Sequence, residues 1–319
     1  MNPKPKVSVL IPNFNYARFI GEAIESVLNQ TYTDFELIVV DNCSTDNTEE
    51  VVSKYLADNR VRFVRNDRNI GMVPNFNKCL ELANGEYIKF LLSDDVFHPE
   101  LLAEFVKVME ENPGVCLVTS DSESFGAESK LRTTPFKNLQ KGEFIIRESI
   151  KDGRGNILGE PTTVMFRTSA MSVGKFNAEY PCLNDLDFWL RQLTTGDCYF
   201  IPRTLSYFRV HDAQASYVKN YGNWFDEYNF YKRVKTVNEY KVAYEGLQLD
   251  KMIKKTALKS ASAMFELWPG LKNKKNRSMF LKALKIAVAE RVLPASIRIE
   301  MRKRKKRHAK ALVPQQSRS

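Results

Sequence analysis

Residues 7–42, VSVLIPNFNYARFIGEAIESVLNQTYTDFELIVVDN, change their hydrophobic period twice. Val7–Pro12 is a short β-branched run closed by proline, the pattern of a buried strand that ends at a turn. From Ala17 to Asn29 the spacing shifts. Phe19, Ile20, Ala23, Ile24, Val27 and Leu28 recur every three or four residues, which predicts an amphipathic helix. Phe35–Val40 is apolar and β-branched again, a second buried strand. Strand, helix, strand over so short a span is what a parallel pair with a crossover requires.

The alternation continues outward. A helix is expected from Asp46 to Leu56, with Thr45 or Asp46 as its cap. A strand at 61–64, a helix at 71–83 and a strand at 87–92 follow. A helix from Pro99 to Glu111 and a strand at 115–118 complete the regular part. This predicts an α/β protein with a mostly parallel central sheet and helices on both faces. Residues 120–160 are read as loops around one short strand, Glu143–Ile146, because glycines and charges break the pattern. Thr162–Arg167 reads as a strand, Asp185–Leu193 as a helix, and 199–201 and 205–210 as two last strands. Beyond Tyr221 the pattern is helical, with breaks at Gly246, Pro269-Gly270 and Pro294.

In such sheets ligands bind beyond the carboxyl ends of the strands. Four polar clusters fall there: Asn13-Phe14-Asn15-Tyr16, Asp41-Asn42-Cys43-Ser44, Asn66-Asp67 and Ser93-Asp94-Asp95. Asp94 and Asp95 offer hard oxygen ligands for a divalent cation. Their alternative role is a solvated strand end that caps the next helix. Arg65 and Arg68 flank the third strand's end, placed either to approach a diphosphate or to stay in solvent.

Charge is divided along the chain. Of 48 Lys/Arg and 38 Asp/Glu, residues 251–319 hold 20 and 3, so an acidic body carries a basic tail with a separate partner. The five cysteines are scattered, without C-x-x-C spacing, which argues for reduced thiols and against structural zinc. No apolar run reaches membrane-spanning length, and no leader-like core opens the sequence. The expected location is cytoplasmic.

Taken together, the opening forty residues, "NIG" (69–71), "GEYIKFLLSDD" (85–95) and "NDLDFWLR" (184–191) resemble the family 2 glycosyltransferases of bacterial surface-polysaccharide type. The resemblance spans about residues 6–212. It implies the GT-A fold and inverting transfer from a nucleoside-diphosphate-sugar, UDP- or another NDP-sugar, to a hydroxyl of a growing or lipid-linked glycan. It also implies a Mg²⁺ or Mn²⁺ cofactor. Pro12, Asn13, Asn15, Asp41, Asn42, Arg68, Ser93 and Asp94 are the implied donor-binding residues, with Asp41 on the base. Asp94, Asp95 and the late His211 are the implied metal-side residues, and Asp185 the general base.

The chain departs from the family pattern in three places. D-x-D-D is here Leu92-Ser93-Asp94-Asp95, which removes a carboxylate expected to touch the donor's ribose. Asn42 stands where a second Asp is usual, and Asn184-Asp185 replaces Glu-Asp. Asp187 competes with Asp185 but suits a helix N-terminus. Trp189 shares a face with Leu186, Leu190 and Leu193, as a core residue does.

The implied domains are 1–215, nucleotide-sugar-binding and catalytic; 216–296, a C-terminal helical region; and 297–319, a basic tail. That tail is either solvated and disordered or held on an anionic membrane surface, which would make the enzyme peripheral on the inner face of the cell membrane. No nucleic-acid recognition module accompanies the charge. Two other classes compete with the transferase. A nucleotide-sugar-binding protein without transferase activity would bind donor without releasing nucleoside diphosphate. A nucleotidyltransferase would carry a Gly-rich basic loop after the first strand, where this chain has PNFNYARF.

Overall fold

The computed structural model describes residues 4–151, 156–179, 182–212, 222–236 and 247–311. Contacts divide the described residues into two units, the first up to Asp212 and the second containing the helices from Gly222 onward.

In the first unit, strands β1 (Val7–Asn13), β2 (Phe35–Asp41), β3 (Val61–Arg65) and β4 (Tyr87–Phe90) are parallel, ordered β3-β2-β1-β4. Helices α1 (Ala17–Leu28), α2 (Thr48–Ser53) and α3 (Met72–Leu82) make the crossovers. The expected periodicity holds in detail. α1 buries Ile20, Ala23, Ile24 and Val27, and every residue of β1 except Pro12 is buried. That stripe, β1 and β2 form one apolar core with Leu101, Leu102 and Phe105 of α4 (Leu101–Glu111).

In the rest of the sheet the strands expected near 115, 164 and 199–210 are present, but their lengths and antiparallel pairings were not legible as a sequence pattern. The short β5 (Val96–Phe97) pairs antiparallel with the last strand. β6 (Val115–Gly126) runs well past the expected 118, and carries β7 (Lys130–Arg132) antiparallel on it. β9 (Val164–Arg167) inserts antiparallel between β4 and β6. The two strands expected at 199–201 and 205–210 are one, β10 (Asp197–Val210), parallel to β6 with register shifts around Ile201–Ser206 and paired with β8 (Asn138–Gln140).

One element changes type. Glu143–Ile146, expected as a strand, lies in helix α5 (Gly142–Ile150). Its buried residues are Gly142, Ile145, Ile146, Ser149 and Ile150. That is helical spacing, and the adjacent β-branched pair Ile145-Ile146 had masked it.

Helix α6 (Asn184–Gln192) is pinned from both sides. Trp189, fully buried, donates its indole N–H to the Gly159 carbonyl at 3.1 Å. The buried Arg191 pairs with Asp187 at 2.9 Å and donates to the Val173 and Lys175 carbonyls. Asp187 is therefore a core ion-pair partner and not an exposed helix-terminal charge. Rings of Phe166, Phe176, Phe188 and Trp189 fill the space between.

The second unit consists of α7 (Gly222–Thr236), α8 (Leu249–Leu267), α9 (Lys274–Ala289) and α10 (Leu293–Ala311). The boundary expected at 297 falls inside α10, so the basic segment is helical as far as Ala311. Among the described residues no helix is long and apolar enough to cross a membrane.

Candidate functional site

Beyond the carboxyl ends of β1 and β4 opens a cleft of about 490 Å³. Its walls include Pro12 and Asn13 at the end of β1 with Tyr16 beyond it, Asn42 after β2, Leu92, Ser93 and Asp94 after β4, and Glu160 and Phe208 from farther along the chain.

The turn after β4 sorts its residues by depth. Leu91 still donates to the Leu10 carbonyl, then the chain turns, with Asp95 N–H on the Leu92 carbonyl at 3.1 Å. Ser93 faces the cleft and its hydroxyl donates to the Pro12 carbonyl at 2.9 Å. Asp94 lines the cleft at 8% exposure, and its Oδ2 lies 3.0 Å from Nε2 of His211. Leu92 also lines the cleft, so an aliphatic side chain stands where the family resemblance implied a carboxylate.

Asp95 points the other way. It is fully buried, and both oxygens are engaged: Thr162 Oγ1 donates to Oδ2 at 2.5 Å and Arg209 N–H to Oδ1 at 3.0 Å. Burial pushes its carboxyl well above the usual range, and the Asp94 charge adds to this. The equally buried Lys89, in the middle of β4, is pushed well below the usual amine value by desolvation, an effect the Asp95 charge opposes. Lys89 donates to the Thr162 and Val164 carbonyls and lies over the Phe97 ring. Asp95 thus faces the protein and not the cleft.

Pairing of β5 with β10 delivers the other half of the site. Arg209 donates its Nε to the Asp94 carbonyl at 2.9 Å and pairs with Glu22. Two residues on, His211 meets Asp94 on one side and Arg18 Nη2, 3.1 Å from Nδ1, on the other. A guanidinium only donates, so Nδ1 accepts and the ring proton sits on Nε2, directed at Asp94. Coordination of a cation by Nε2 requires the opposite tautomer and Arg18 moved from Nδ1. Arg18, with its side chain 56% exposed, has room to move.

The clusters after β1 and β2 form a hydrogen-bonded scaffold. Asp41, buried, accepts from Asn13 Nδ2 at 2.9 Å and from Ser44 N–H and Oγ at 2.9 and 2.5 Å. Cys43 between them adopts φ 63°, which costs a Cβ-bearing residue on the order of 1–2 kcal/mol, and the Asp41–Ser44 bonds hold it there. Asn15, also left-handed at φ 58°, is exposed and accepts from Thr45 N–H. Asn42 clamps the 66–71 loop, donating to Asn69 and Gly71 and accepting from Ile70 N–H. Asn13 Oδ1 is buried with no partner among the described residues, an acceptor left over in the cleft wall. Arg65 binds Glu49 and the Ser44 carbonyl, and Arg68 is exposed and outside the cleft lining.

Asp185 opens α6 and does not line the cleft. Its Oδ1 accepts from Leu186 N–H and its Oδ2 from Asn156 Nδ2, both at 2.8 Å. Burial pushes its carboxyl up to about 6, and the Glu160 carboxylate in the cleft wall adds to the shift.

Of the residues expected from the sequence, Pro12, Asn13, Asn42, Ser93, Asp94 and His211 are brought together around the cleft. Asp41, Asn15 and Asp95 lie behind it as supports, while Arg68 stands apart. Sequence reading passed over Glu160, Thr162 and the buried Lys89, and left Arg209 as a partner of His211 without a role. Only Lys89 carried a signal, a charge inside an otherwise apolar strand. Among the described residues no three His, Cys, Asp or Glu side chains that could hold a metal converge; Asp94 and His211 meet as a pair.

Thr162 tests the scaffold. Its hydroxyl donates to Asp95 and accepts Leu92 N–H at 3.2 Å. Thr162→Val leaves a buried carboxyl oxygen and an N–H unpaired, with an expected cost of about 1–3 kcal/mol in denaturant unfolding. Thr162→Ser should recover most of it, and equal stability of all three forms would show that these bonds contribute nothing.

Comparison with known proteins now adds to this geometry. The model for glycosyl transferase family 2 matches residues 8–180. An uncharacterized protein of Mycobacterium tuberculosis, MT1568, is 34% identical over 225 residues, 67% of this chain and 70% of that protein. The putative teichuronic acid biosynthesis glycosyltransferase TuaG of Bacillus subtilis is 39% identical over 111 residues, 34% of this chain and 44% of TuaG. Among solved structures, S. aureus TarS 1-349 with UDP-GlcNAc superposes with a TM-score of 0.65 at 19% identity, covering 88% of this chain and 79% of that one. The mannosyltransferase PcManGT of Pyrobaculum calidifontis, solved with GDP-Man and Mn²⁺, gives 0.54 at 17% identity over 91% and 88%. At these identities the structural likeness is one of fold alone. With the family model matching more than half of its length, the chain belongs to glycosyl transferase family 2.

Proposed function

We propose that this family 2 glycosyltransferase moves a sugar, with inversion, from a nucleoside-diphosphate-sugar to a hydroxyl of a surface glycan, assisted by Mg²⁺ or Mn²⁺. The observation that carries this reading is the cleft wall itself. Asp94 stands in it beside Ser93 and the partnerless Asn13 Oδ1, and His211 backs Asp94 at 3.0 Å. Support comes from the neighbours: TarS was solved with UDP-GlcNAc and PcManGT with GDP-Man and Mn²⁺, while TuaG is named for teichuronic acid biosynthesis.

Asp94 and the Nδ1–H tautomer of His211 would hold the cation, one hard oxygen and one imidazole nitrogen. Two protein donors suit an ion that takes its other ligands from phosphates and water. When bound, such an ion neutralises charge on the diphosphate leaving group. Pro12, Asn13, Asn42 and Ser93 line the donor's place, with Asp41 and Asn15 holding the backbone that shapes it.

Asp185 takes the proton of the acceptor hydroxyl as that oxygen bonds to the anomeric carbon and the bond from that carbon to the diphosphate oxygen breaks. Its carboxyl, raised to about 6, is still ionised at neutral pH and is more basic than an ordinary aspartate. Asp95 supports rather than ligates, because it is fully buried and turned away from the cleft, whereas Asp185 is only half-buried.

The direct test is a panel of nucleotide sugars assayed for binding and for nucleoside diphosphate release, with Mn²⁺ and with EDTA. Release that requires both protein and cation is expected for at least one donor. Binding without release from any donor would replace the transferase with a binding protein.

A further inference from the structure

The second unit carries a surface that glycosyl transfer leaves unused. On α9, Lys274, Arg277, Leu281, Lys285 and Val288 recur at three- and four-residue spacing, so they share one face. All five are exposed, with Leu281 at 51% and Val288 at 60%. The opposite face is closed, with Ala283 and Ala287 fully buried. On α10, Ile297 and Met301 lie one turn apart at 42% and 55% exposure, flanked by the exposed Arg298 and Arg302. Trp268, at the end of α8, is 64% exposed, with its ring 5.7 Å from Phe280, the neighbour of Leu281.

The charge on these helices has one sign. α9 holds five Lys/Arg and no Asp/Glu, and α10 holds eight against Glu300 alone. An ordinary solvated face mixes both signs and does not centre its stripe on leucine and valine. A protein-binding face of this size would be depleted of lysine. Nucleic acid would answer the charge but has no use for exposed aliphatic side chains on a phosphate-facing helix. Apolar residues flanked by lysine and arginine on one helical stripe match a helix lying in a lipid interface, with the apolar groups inserted shallowly and the long basic stems reaching headgroup phosphates.

We propose that the α9 face centred on Leu281 and Val288, extended by Ile297 and Met301 of α10, docks on an anionic lipid bilayer. Charge complementarity selects this occupant, and the proposal stands apart from the assignment of the reaction.

The experiment is cosedimentation of the full chain with phosphatidylcholine vesicles, with and without phosphatidylglycerol, together with a competing arm of duplex DNA. Binding is expected to the phosphatidylglycerol vesicles and to be lost as salt rises from about 0.1 M to about 1 M. Lys285→Gln should weaken it about fivefold. Leu281→Ser/Val288→Ser should weaken it about tenfold or more, with unchanged helicity by circular dichroism. Equal binding to both vesicle types, indifference to either surface variant, or retention on DNA without binding to vesicles would each overturn the proposal.

Discussion

Asp94→Asn is expected to lower turnover by about a hundredfold to a thousandfold, the usual loss when one charge-stabilising group at a leaving group is removed. Asparagine keeps the size of the side chain and an oxygen that can accept the Nε2–H of His211, so the turn from Leu92 to Asp95 should survive. What it loses is the negative charge that favours a divalent cation. The defect should therefore appear as a higher Mn²⁺ requirement together with a lower kcat. Asp94 is well placed for this test, since it is only 8% exposed and its Oδ2 meets His211 Nε2. Near-normal turnover of Asp94→Asn at moderate Mn²⁺ would remove Asp94 from the site.

Asp185→Asn should separate chemistry from binding. The amide cannot take the acceptor proton, so kcat is expected to fall about a hundredfold to ten-thousandfold while donor affinity stays near the native value. The fold should tolerate the change imperfectly. Asn156 already uses its own oxygen to accept Leu158 and Gly159 N–H, so its amide cannot flip to meet a new NH₂ group. One hydrogen bond at Oδ2 is lost, at a cost of about 1 kcal/mol in unfolding experiments.

The pH dependence follows from the same carboxyl. A general base works when deprotonated, so with its value at about 6 the native rate should be level above that pH. Below it the rate should fall about tenfold per unit. Stability moves the opposite way. The folded value lies above the ordinary one for aspartate, so the folded state binds this proton more tightly and gains stability as pH falls through 6. A rate that stays level through pH 5, or an Asp185→Asn enzyme with native kcat, would pass the base role to another group. Glu160 in the cleft wall would then be the candidate.

The metal-side reading of SDD was partly legible. A strand that ends in two carboxylates at the sheet's rim predicts that at least one faces the cleft, and Asp94 does. Which of the two faces inward depends on the turn after Phe90. It also depends on Thr162 and Arg209, far along the chain, whose donors hold Asp95 inside. Leu92 was visible as a departure from the family, but that its side chain lines the cleft is a fact of packing. His211 was singled out on resemblance alone. Its contact with Asp94 exists because β10 pairs with β5, a register that no local pattern contains.

The sequence by itself determined the β1-α1-β2 entry, the parallel half of the sheet, the rim on which polar residues collect and the basic character of the last helices. Each is a matter of period, strand-end chemistry or composition within a short window, where burial of one face dictates the spacing. The tertiary structure alone decided the helical state of α5, the antiparallel insertion of β9, the depth of Asp95, the raised carboxyl of Asp185 and the exposure of Leu281 and Val288. These depend on which distant groups come to share a buried space. Desolvation and hydrogen-bond partnership are set by that space and not by neighbours in the chain.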